Sequence, residues 1–199
     1  MPTLVLGTAN RKKRNELTRL LAPLGLTIRT LADYPHALAV EETGSTFAEN
    51  AVLKAAQQAA HLGQWVLAED SGLAVDALSG GPGVRSARYS GAGATDESNN
   101  RRLLDELSGV PLGRRAAHYV CHAALADPQG AVRAEAEDYC HGRIVFDDRG
   151  SGGFGYDPLF EIVEYKRTFG QLSPEVKDCL SHRARALRRL LPAIERVLR

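Results

Sequence analysis

The stretch Leu4-Val5-Leu6-Gly7-Thr8-Ala9-Asn10-Arg11 decides the fold class, because an apolar β-type run leads directly through a short turn into a helix. The helical pattern covers roughly residues 11–24 and places Leu17, Leu20 and Leu21 on one face. A strand, a tight turn and a helix in this order are typical of α/β proteins. We therefore expect an α/β fold that begins with a βα unit.

Three later helices are predicted from capping residues and hydrophobic periodicity. Their N-caps are Thr46, Thr95 and Ser173. Glu49 completes a capping box with Thr46, and Gly63 ends that helix. The last helix begins at Pro174, continues through a basic, leucine-bearing stretch and bends near Pro192. We expect these helices to flank a sheet.

The remaining β-type runs predict a mixed sheet. A short strand over residues 65–68 ends in Glu69-Asp70-Ser71-Gly72, and a second strand covers residues 73–78. Two long β-rich runs on either side of Asp127-Pro128-Gln129-Gly130 predict a hairpin over residues 116–144. Because the chain combines βα order with a hairpin, the sheet should contain both parallel and antiparallel pairs.

The composition restricts the class of protein. With 199 residues and 44% hydrophobic content the chain can bury a core, and we expect a single domain over residues 1–199. The 25 basic and 24 acidic residues nearly cancel, so no broad positive field is available for binding nucleic acid. No stretch approaches the roughly 20 apolar residues of a membrane span. We expect a cytoplasmic protein with no nucleic-acid partner and no membrane association.

The turn over residues 7–13 has the features of an anion site. Between a strand and a helix, backbone N–H groups and the positive end of the helix dipole face a ligand. Thr8 and Asn10 can donate side-chain hydrogen bonds, and Lys12 or Lys13 can place a charge beside a phosphate. A solvated basic face of the helix is the alternative interpretation.

Two carboxylate doublets, Glu41-Glu42 and Glu69-Asp70, are candidates for a metal site. Mg²⁺ prefers hard oxygen ligands and usually binds one or two carboxylates together with substrate phosphates. A carboxylate at the end of an apolar strand is costly to bury unless it is paired or metal-bound, so Asp70 is the main functional candidate. Glu69 and Glu41 are the candidate metal partners. The alternative is a set of surface acids that merely end a strand.

Two helices carry polar residues at one-turn spacing. Asn50 and Lys54 share a face of the second helix, which can line a polar cleft. Lys177 and Ser181 are one turn apart in the last helix and are followed by His182-Arg183. Donors such as His and Arg would select a 6-oxopurine, whose O6 and N7 are acceptors, over adenine with its amino group. Plain exposed faces are the alternative in both helices.

The loop Ser151-Gly152-Gly153-Phe154-Gly155-Tyr156-Asp157-Pro158 holds two aromatic residues among glycines. Such rings are poorly placed for a core and well placed to lie against a planar ligand, and stacking on a base contributes about 1–3 kcal/mol. Phe154 is the stacking candidate. The alternative is a glycine-rich turn whose aromatic residues pack back onto the sheet.

Taken in order along the chain, these motifs resemble the inosine triphosphate pyrophosphatase family in its bacterial form. The matching segments are residues 4–10, 41–44, 46–51, 68–73, 86–91, 152–158 and 181–183. Each segment is short, but their ordered coincidence is specific. The resemblance implies a homodimer with a long central mixed β-sheet flanked by helices and a nucleotide cleft between two lobes.

The resemblance also implies roles for individual residues. Asp70 is implied as the catalytic base and a metal ligand, and Glu41 as the second carboxylate for Mg²⁺. The implied substrate-binding residues are Thr8, Ala9, Asn10, Arg11, Lys12, Lys13, Ser71, Phe154, Gly155, Tyr156, Asp157, Lys177, His182 and Arg183. Three residues depart from the family pattern: Ala9 and Lys12 stand where glycine is usual, and Glu69 stands where aspartate is commoner. Ala9 has less backbone freedom than the glycine it replaces.

The implied function is hydrolysis of the noncanonical purine nucleoside triphosphates ITP, dITP and XTP to the monophosphate and pyrophosphate. This reaction would remove them before they enter DNA or RNA. As a hypothesis, Mg²⁺ held by Asp70 with Glu41 or Glu69 neutralises the phosphates, while Asp70 orients or deprotonates the attacking water. Two alternatives are a pyrophosphatase for modified pyrimidine triphosphates and a non-catalytic regulator that binds purine nucleotides.

Overall fold

A computed structural model describes residues 3–198. Over this range the strands are β1 (Thr3–Leu6), β2 (Thr27–Thr30), β3 (Trp65–Val75), β4 (Ala116–Ala126), β5 (Val132–Ile144), β6 (Phe160–Ile162) and β7 (Arg167–Thr168). The α-helices over the same range are α1 (Arg11–Leu21), α2 (Phe47–Leu62), α3 (Asp96–Glu106), α4 (Pro174–Leu180) and α5 (His182–Leu198).

The strands form a mixed sheet in the order β2-β1-β3-β4-β5-β6-β7. β1 pairs in parallel with β2 and β3, and β6 pairs in antiparallel fashion with β5 and β7. The predicted hairpin is present, because β4 and β5 flank a turn in which the Gly130 N–H donates to the Asp127 carbonyl oxygen at 2.8 Å. The predicted α/β class with a mixed sheet is therefore confirmed.

The helix starts follow the local signals. Asn10 caps α1, which we did not predict. Thr46 caps α2 in a capping box with Glu49, Thr95 caps α3 and Ser173 caps α4, all as predicted. α2 ends at Gly63, whose φ of 61° is left-handed. These predictions are confirmed because a cap depends on residues within four positions of one another.

Two predicted boundaries are wrong. β3 is one strand rather than two, so Asp70 lies in its middle and not at its end. The predicted last helix is two helices, because Ser181 is extended (φ −66°, ψ 152°) and separates α4 from α5. Pro192 lies inside α5 without ending it.

The chain divides into two compact units. Unit 1 comprises residues 1–70, 121–138 and 183–199, and unit 2 comprises residues 71–120 and 139–182. β3, β4 and β5 each contribute residues to both units. The single domain over residues 1–199 stays a prediction.

The core of unit 1 packs on both faces of β1. Leu4 and Leu6 belong to one buried cluster with Leu17 and Leu21 of α1 and with Leu187, Leu190 and Ile194 of α5. Val5 belongs to a second cluster with Ala51, Ala55 and Ala59 of α2. Because alternate residues of a strand point to opposite faces, β1 lies between helices, as is typical of parallel strands.

The core of unit 2 is built around aromatic and leucine side chains. Its buried members include Leu73, Val75, Leu103, Leu107, Tyr119, Tyr156, Phe160 and Phe169. Phe160 and Phe169 stack at a ring-centroid distance of 5.5 Å. Among the described residues, no helix combines the length and apolar character that crossing a bilayer requires.

Candidate functional site

The turn after β1 begins at a glycine for a steric reason. The Gly7 N–H donates to the Leu67 carbonyl oxygen of β3 at 2.8 Å. A Cβ atom at Gly7 would lie 2.9 Å from Val66 Cγ1 and 3.0 Å from Ala68 Cβ. Glycine therefore lets the turn start in direct contact with β3.

Side chains of the turn itself organise the start of α1. Asn10 Oδ1 accepts from the backbone N–H groups of Lys12 (2.9 Å) and Lys13 (3.1 Å). Thr8 Oγ1 accepts from the Asn10 N–H at 3.2 Å. Two of the N–H groups that we expected to face an anion therefore donate to Asn10. Binding of a phosphate here would depend more on the Thr8 hydroxyl, the Asn10 amide nitrogen and lysine charge.

The two residues that replace family glycines fit this turn without strain. Among the described non-glycine residues, a positive φ occurs at Ser79 and Lys166, so neither Ala9 nor Lys12 adopts it. Arg11 and Lys12 are exposed. The departures from the family pattern therefore leave the backbone of the turn in ordinary conformations.

Asp70 lies at the centre of a polar cluster in unit 1. It is 6% exposed, and its Oδ1 accepts from Lys54 Nζ at 3.0 Å while its Oδ2 accepts from Asn50 Nδ2 at 3.3 Å. Lys54 Nζ also donates to Glu42 Oε1 at 2.8 Å. The polar face predicted for Asn50 and Lys54 is therefore directed at Asp70.

Burial and charge act in opposite directions on the pKa values of Asp70 and Lys54. Burial raises the pKa of Asp70, and the attraction of Lys54 and Lys13 offsets only part of this effect. Burial alone lowers the pKa of Lys54, but the attraction of Asp70, Glu69 and Glu42 outweighs it and raises that pKa. The Asp70 carboxylate is therefore a buried acid whose main cationic contact is Lys54.

Glu42 and Glu41 differ in their surroundings in the structure. Glu42 shares the Lys54 ammonium with Asp70, whereas Glu41 is exposed and its backbone carbonyl accepts from the Thr43 N–H at 3.1 Å. The sequence could not separate the two neighbours, because both have the same chemistry at almost the same position. The metal role of Glu41 stays a prediction, and the contact with Lys54 makes Glu42 a further candidate.

Glu69 belongs to a separate buried ion-pair network on the other face of β3. It is 1% exposed, and its Oε1 lies 3.1 Å from Lys13 Nζ and 3.3 Å from Arg183 Nε. Arg183 also pairs with Glu16. Burial alone lowers the pKa of Arg183, but the attraction of Glu69 and Glu16 raises it overall. These partners make Glu69 a poorer metal candidate than we expected.

The position of these acids follows from strand geometry. Adjacent residues of a strand point to opposite faces, so Asp70 is directed to the side of α2, with Val66 and Ala68. Glu69 is directed to the side of α1 and α5 and meets Lys13 and Arg183. Each buried carboxylate therefore has cationic partners, which explains why β3 continues through both.

The acids near Lys54 fit a divalent cation. Two carboxylate oxygens, from Glu42 and Asp70, already converge on one ammonium group at 2.8 and 3.0 Å. Hard oxygen donors of this kind suit Mg²⁺, which needs only one or two of them when phosphates complete its shell. Over residues 3–198, no group of three or more His, Cys, Asp or Glu is arranged to hold a metal by itself.

Unit 2 gathers another part of the predicted site around Asp157. Its carboxylate is 2% exposed, and Oδ2 accepts from Lys177 Nζ at 2.5 Å and from the Phe154 N–H at 2.8 Å. Lys177 Nζ lies 4.6 Å from the centroid of the Phe154 ring. Gly153 has a φ of 74°, and a Cβ there would lie 2.0 Å from Asp157 Oδ2. The glycines thus allow the loop to close on its own aspartate.

His182 is connected to Asp157 through the side chain of Tyr119. It is 4% exposed and stacks on Tyr119, with ring centroids 4.6 Å apart and planes 9° apart. The Tyr119 hydroxyl donates to Asp157 Oδ1 at 3.4 Å. Tyr119 was missed by sequence reasoning, because it is one more apolar residue in a long β-type run.

Tyr156 and Gly155 of the same loop make structural contacts within unit 2. Tyr156 is 4% exposed, and its hydroxyl donates to the Ser86 carbonyl oxygen at 2.9 Å. The Gly155 carbonyl oxygen accepts from Asn100 Nδ2 at 3.1 Å. For Tyr156, the alternative of a ring packed onto the sheet is the one observed, while Phe154 remains half-buried. Ser71 is half-buried in β3.

Comparison with known proteins gives consistent matches over nearly the whole chain. A sequence model of the Ham1 family matches residues 4–193. The chain is 52% identical over 195 residues to a dITP/XTP pyrophosphatase of Rhodopirellula baltica, covering 98% of this chain and 94% of the relative. A HAM1 protein of Coxiella burnetii has a solved structure with a TM-score of 0.89 and 36% identity, covering 98% and 100% of the two chains. A nucleoside-triphosphatase, or dITP/XTP pyrophosphatase, of Mycobacterium abscessus has a TM-score of 0.76 and 42% identity, covering 96% and 99%.

Proposed function

The chain belongs to the Ham1 family, and we propose that it hydrolyses the noncanonical purine nucleoside triphosphates dITP, XTP and ITP to the monophosphate and pyrophosphate. Relatives that share about half of its residues are named dITP/XTP pyrophosphatases. The resemblance to the inosine triphosphate pyrophosphatase family that we read from the sequence is thereby confirmed. Such an enzyme would clear abnormal purine nucleotides from the pool before polymerases use them.

One observation in the structure supports this reaction above the others. Two acids from different parts of the chain, Glu42 and Asp70, converge on Lys54. In the same unit, the turn over residues 8–13 follows β1, which is the parallel neighbour of β3. A paired-acid site with a cationic turn suits the transfer of a highly charged phosphate group.

A divalent cation, Mg²⁺, would be held by Glu42 and Asp70. When bound, it supplies positive charge that neutralises the phosphate oxygens as the bond to pyrophosphate breaks. Lys54 holds the two carboxylates near each other, and Asn50 fixes the second oxygen of Asp70.

Asp70 is proposed to act on the attacking water. Burial raises the pKa of Asp70, against the attraction of Lys54 and Lys13, which makes the carboxylate a better proton acceptor than an ordinary aspartate. Asp70 therefore orients the water and accepts its proton as the oxygen attacks the α-phosphorus in line. Thr8, Asn10, Arg11, Lys12, Lys13 and Ser71 are proposed to contact the phosphates.

The base is proposed to bind to the aromatic residues of unit 2. Phe154 would stack on the purine, and Asp157 with Lys177 would hold the loop that carries Phe154. His182 is proposed to donate to the 6-oxo group, which adenine lacks, so that ATP is spared. Arg183 was predicted to share this role, but its guanidinium contacts Glu16 and Glu69 in the structure.

A substrate panel tests the proposed function. With the purified protein and Mg²⁺, pyrophosphate release should be much faster from dITP, XTP and ITP than from ATP, dTTP or UTP, and EDTA should abolish it. Asp70→Asn should fold normally and lower kcat at least about 100-fold, because it removes the proton acceptor. A preference for dTTP or UTP would support the pyrimidine alternative. Tight binding of dITP without pyrophosphate release would support the regulator.

The assembly state is a proposal that rests on the family resemblance. We propose a homodimer, which light scattering should detect as twice the chain mass of 21.5 kDa. A mass of 21.5 kDa at micromolar concentration would contradict it. The cytoplasmic location expected from the sequence stays a prediction.

A further inference from the structure

Asn50 of α2 is a fully buried polar side chain with three polar contacts. It is 0% exposed. Its Oδ1 accepts from the Gly44 N–H at 2.8 Å, and its Nδ2 donates to the Gly44 carbonyl oxygen at 3.4 Å. The same Nδ2 donates to Asp70 Oδ2 at 3.3 Å. One amide group therefore contacts both the segment before α2 and the central carboxylate of β3.

The segment that Asn50 holds is the one that carries Glu42. Gly44 follows Glu42 by two residues, and a Cβ atom at Gly44 would lie 2.7 Å from Asn50 Oδ1 and 2.6 Å from Glu49 Cβ. Glycine therefore allows the segment to lie directly against the amide. The position of Glu42 relative to Asp70 is set at one point by Lys54 and at another by Asn50.

The contacts of Lys54 and Asn50 with the acid pair would respond differently to the binding of a divalent cation. The Lys54 ammonium is a positive charge in contact with Glu42 Oε1 and Asp70 Oδ1, so it would compete with a divalent cation held by these two acids. The Asn50 amide is neutral and contacts the other oxygen of Asp70, so it can keep its hydrogen bonds while the cation binds. It therefore preorganises the acid pair without competing for it.

We propose that Asn50 is a positioning residue that fixes the Glu42 segment against Asp70 and thereby sets the affinity of the acid pair for a divalent cation. This inference rests on the proposed function, which makes Glu42 and Asp70 the metal carboxylates. Groups that orient metal ligands typically change metal affinity or activity about 10- to 100-fold when they are replaced.

The same helix contains a matched control. Gln58 is 2% exposed and lies two turns after Asn50 in α2. Its Oε1 accepts from the Leu38 N–H at 3.1 Å, and its Nε2 donates to the Leu38 carbonyl oxygen at 2.6 Å. Gln58 thus makes the same two-point contact with the backbone before α2, but within the described residues it contacts no carboxylate.

The experiment compares Asn50→Ala with Gln58→Ala in the full chain. Mn²⁺ binding is measured by calorimetry without nucleotide, and kcat and KM for dITP are measured at saturating and limiting Mg²⁺. Asn50→Ala should weaken Mn²⁺ binding about 10- to 100-fold and raise the Mg²⁺ concentration needed for half-maximal rate. Gln58→Ala should leave the Mn²⁺ affinity and the Mg²⁺ concentration for half-maximal rate within about twofold of the wild-type values, even though it loses a similar buried amide. Equal Mn²⁺ affinity in the two variants would overturn the proposal.

A second variant decides the matter if Asn50→Ala does not fold. Gly44→Ala keeps the Asn50 side chain but places a Cβ atom 2.7 Å from its Oδ1 and 2.6 Å from Glu49 Cβ, so the Glu42 segment can no longer lie against the amide. It should also weaken Mn²⁺ binding, and wild-type affinity would overturn the proposal. Absence of dITP hydrolysis by the wild-type chain would reject the proposed function alone, because the Mn²⁺ measurements test Asn50 independently.

Discussion

Arg183 is a fully buried guanidinium whose two carboxylate partners come from distant parts of the chain. Glu16 is in α1 and Glu69 is in β3, while Arg183 itself is the second residue of α5. Planar guanidinium groups suit buried pairs of this kind, because they present several donors in one fixed plane. The residue thus connects three elements of unit 1 through charge-assisted hydrogen bonds.

Replacing Arg183 should therefore cost stability. Arg183→Met keeps the length of the side chain but leaves the two carboxylates of Glu16 and Glu69 without their main buried cation. We expect the free energy of unfolding to fall by about 3–5 kcal/mol, measured by urea denaturation at pH 7.

An exposed pair on the same helix is the control. Arg189 is 66% exposed and lies 2.6 Å from Asp138. Arg189→Met should change the free energy of unfolding by about 0–1 kcal/mol, because solvent screens such pairs. If both variants lost equal stability, the buried network would not have the role assigned to it.

Helix α2 is the element that supplies Asn50 and Lys54, and its start is determined by a capping box. Glu49 Oε2 accepts from the Ser45 N–H (2.6 Å), the Ser45 hydroxyl (2.9 Å) and the Thr46 N–H (3.2 Å). These hydrogen bonds, first those from Ser45, lower the pKa of Glu49 below its ordinary value of 4.5. The charged form is therefore the one that stabilises the folded state.

Glu49→Gln should reduce stability in a pH-dependent way. Because the folded-state pKa lies below the unfolded-state value, the stabilisation is fully present above pH 4.5 and is lost as the pH falls through the folded-state pKa. The urea concentration at which half of the protein is unfolded should be lower for the variant than for wild type at pH 7, and the two values should converge toward pH 3. Glu164→Gln, at an exposed position, controls for loss of one charge. A difference that stays constant with pH would contradict this assignment.

The two adjacent residues at the start of α5, directly after the break at Ser181, have different environments. Ser181 ends α4, and the adjacent residues His182 and Arg183 are assigned to different units. His182 stacks on Tyr119 in unit 2, whereas Arg183 pairs with acids in unit 1. Both residues lie in the first turn of α5, where adjacent side chains project in different directions, so they reach different partners.

Over the whole molecule, the candidate metal acids and the phosphate-binding turn belong to unit 1, whereas the candidate base-binding residues Phe154, Asp157 and Lys177 belong to unit 2. We expect variants of the two groups to alter different kinetic constants. Phe154→Ala should lower kcat/KM for dITP about 5- to 150-fold, mainly through KM, because stacking contributes about 1–3 kcal/mol. Asp70→Asn should act mainly on kcat.

Steady-state kinetics with dITP measures this division of roles. Phe146→Ala is a suitable control, because Phe146 is also an aromatic residue of unit 2, is 47% exposed and lies against Arg115 at 4.2 Å. The control should keep the wild-type KM. A wild-type KM for Phe154→Ala as well would remove Phe154 from base binding.

The sequence by itself determined the α/β class, the capped starts of α2, α3 and α4, the long hairpin and the family. These features depend on short-range patterns, because caps, turns and periodicity involve residues only a few positions apart.

Only the tertiary structure decided which acid accompanies Asp70, why β3 continues through Glu69 and Asp70, and where Arg183 finds its partners. Glu41 and Glu42 are chemically alike, and only the contact with Lys54 distinguishes them. Likewise, a buried acid can continue a strand only if a distant cation reaches it, as Lys54 reaches Asp70 and Arg183 reaches Glu69. The physical reason is that the free energy of a buried charge depends on neighbours brought together by folding, which no local pattern records.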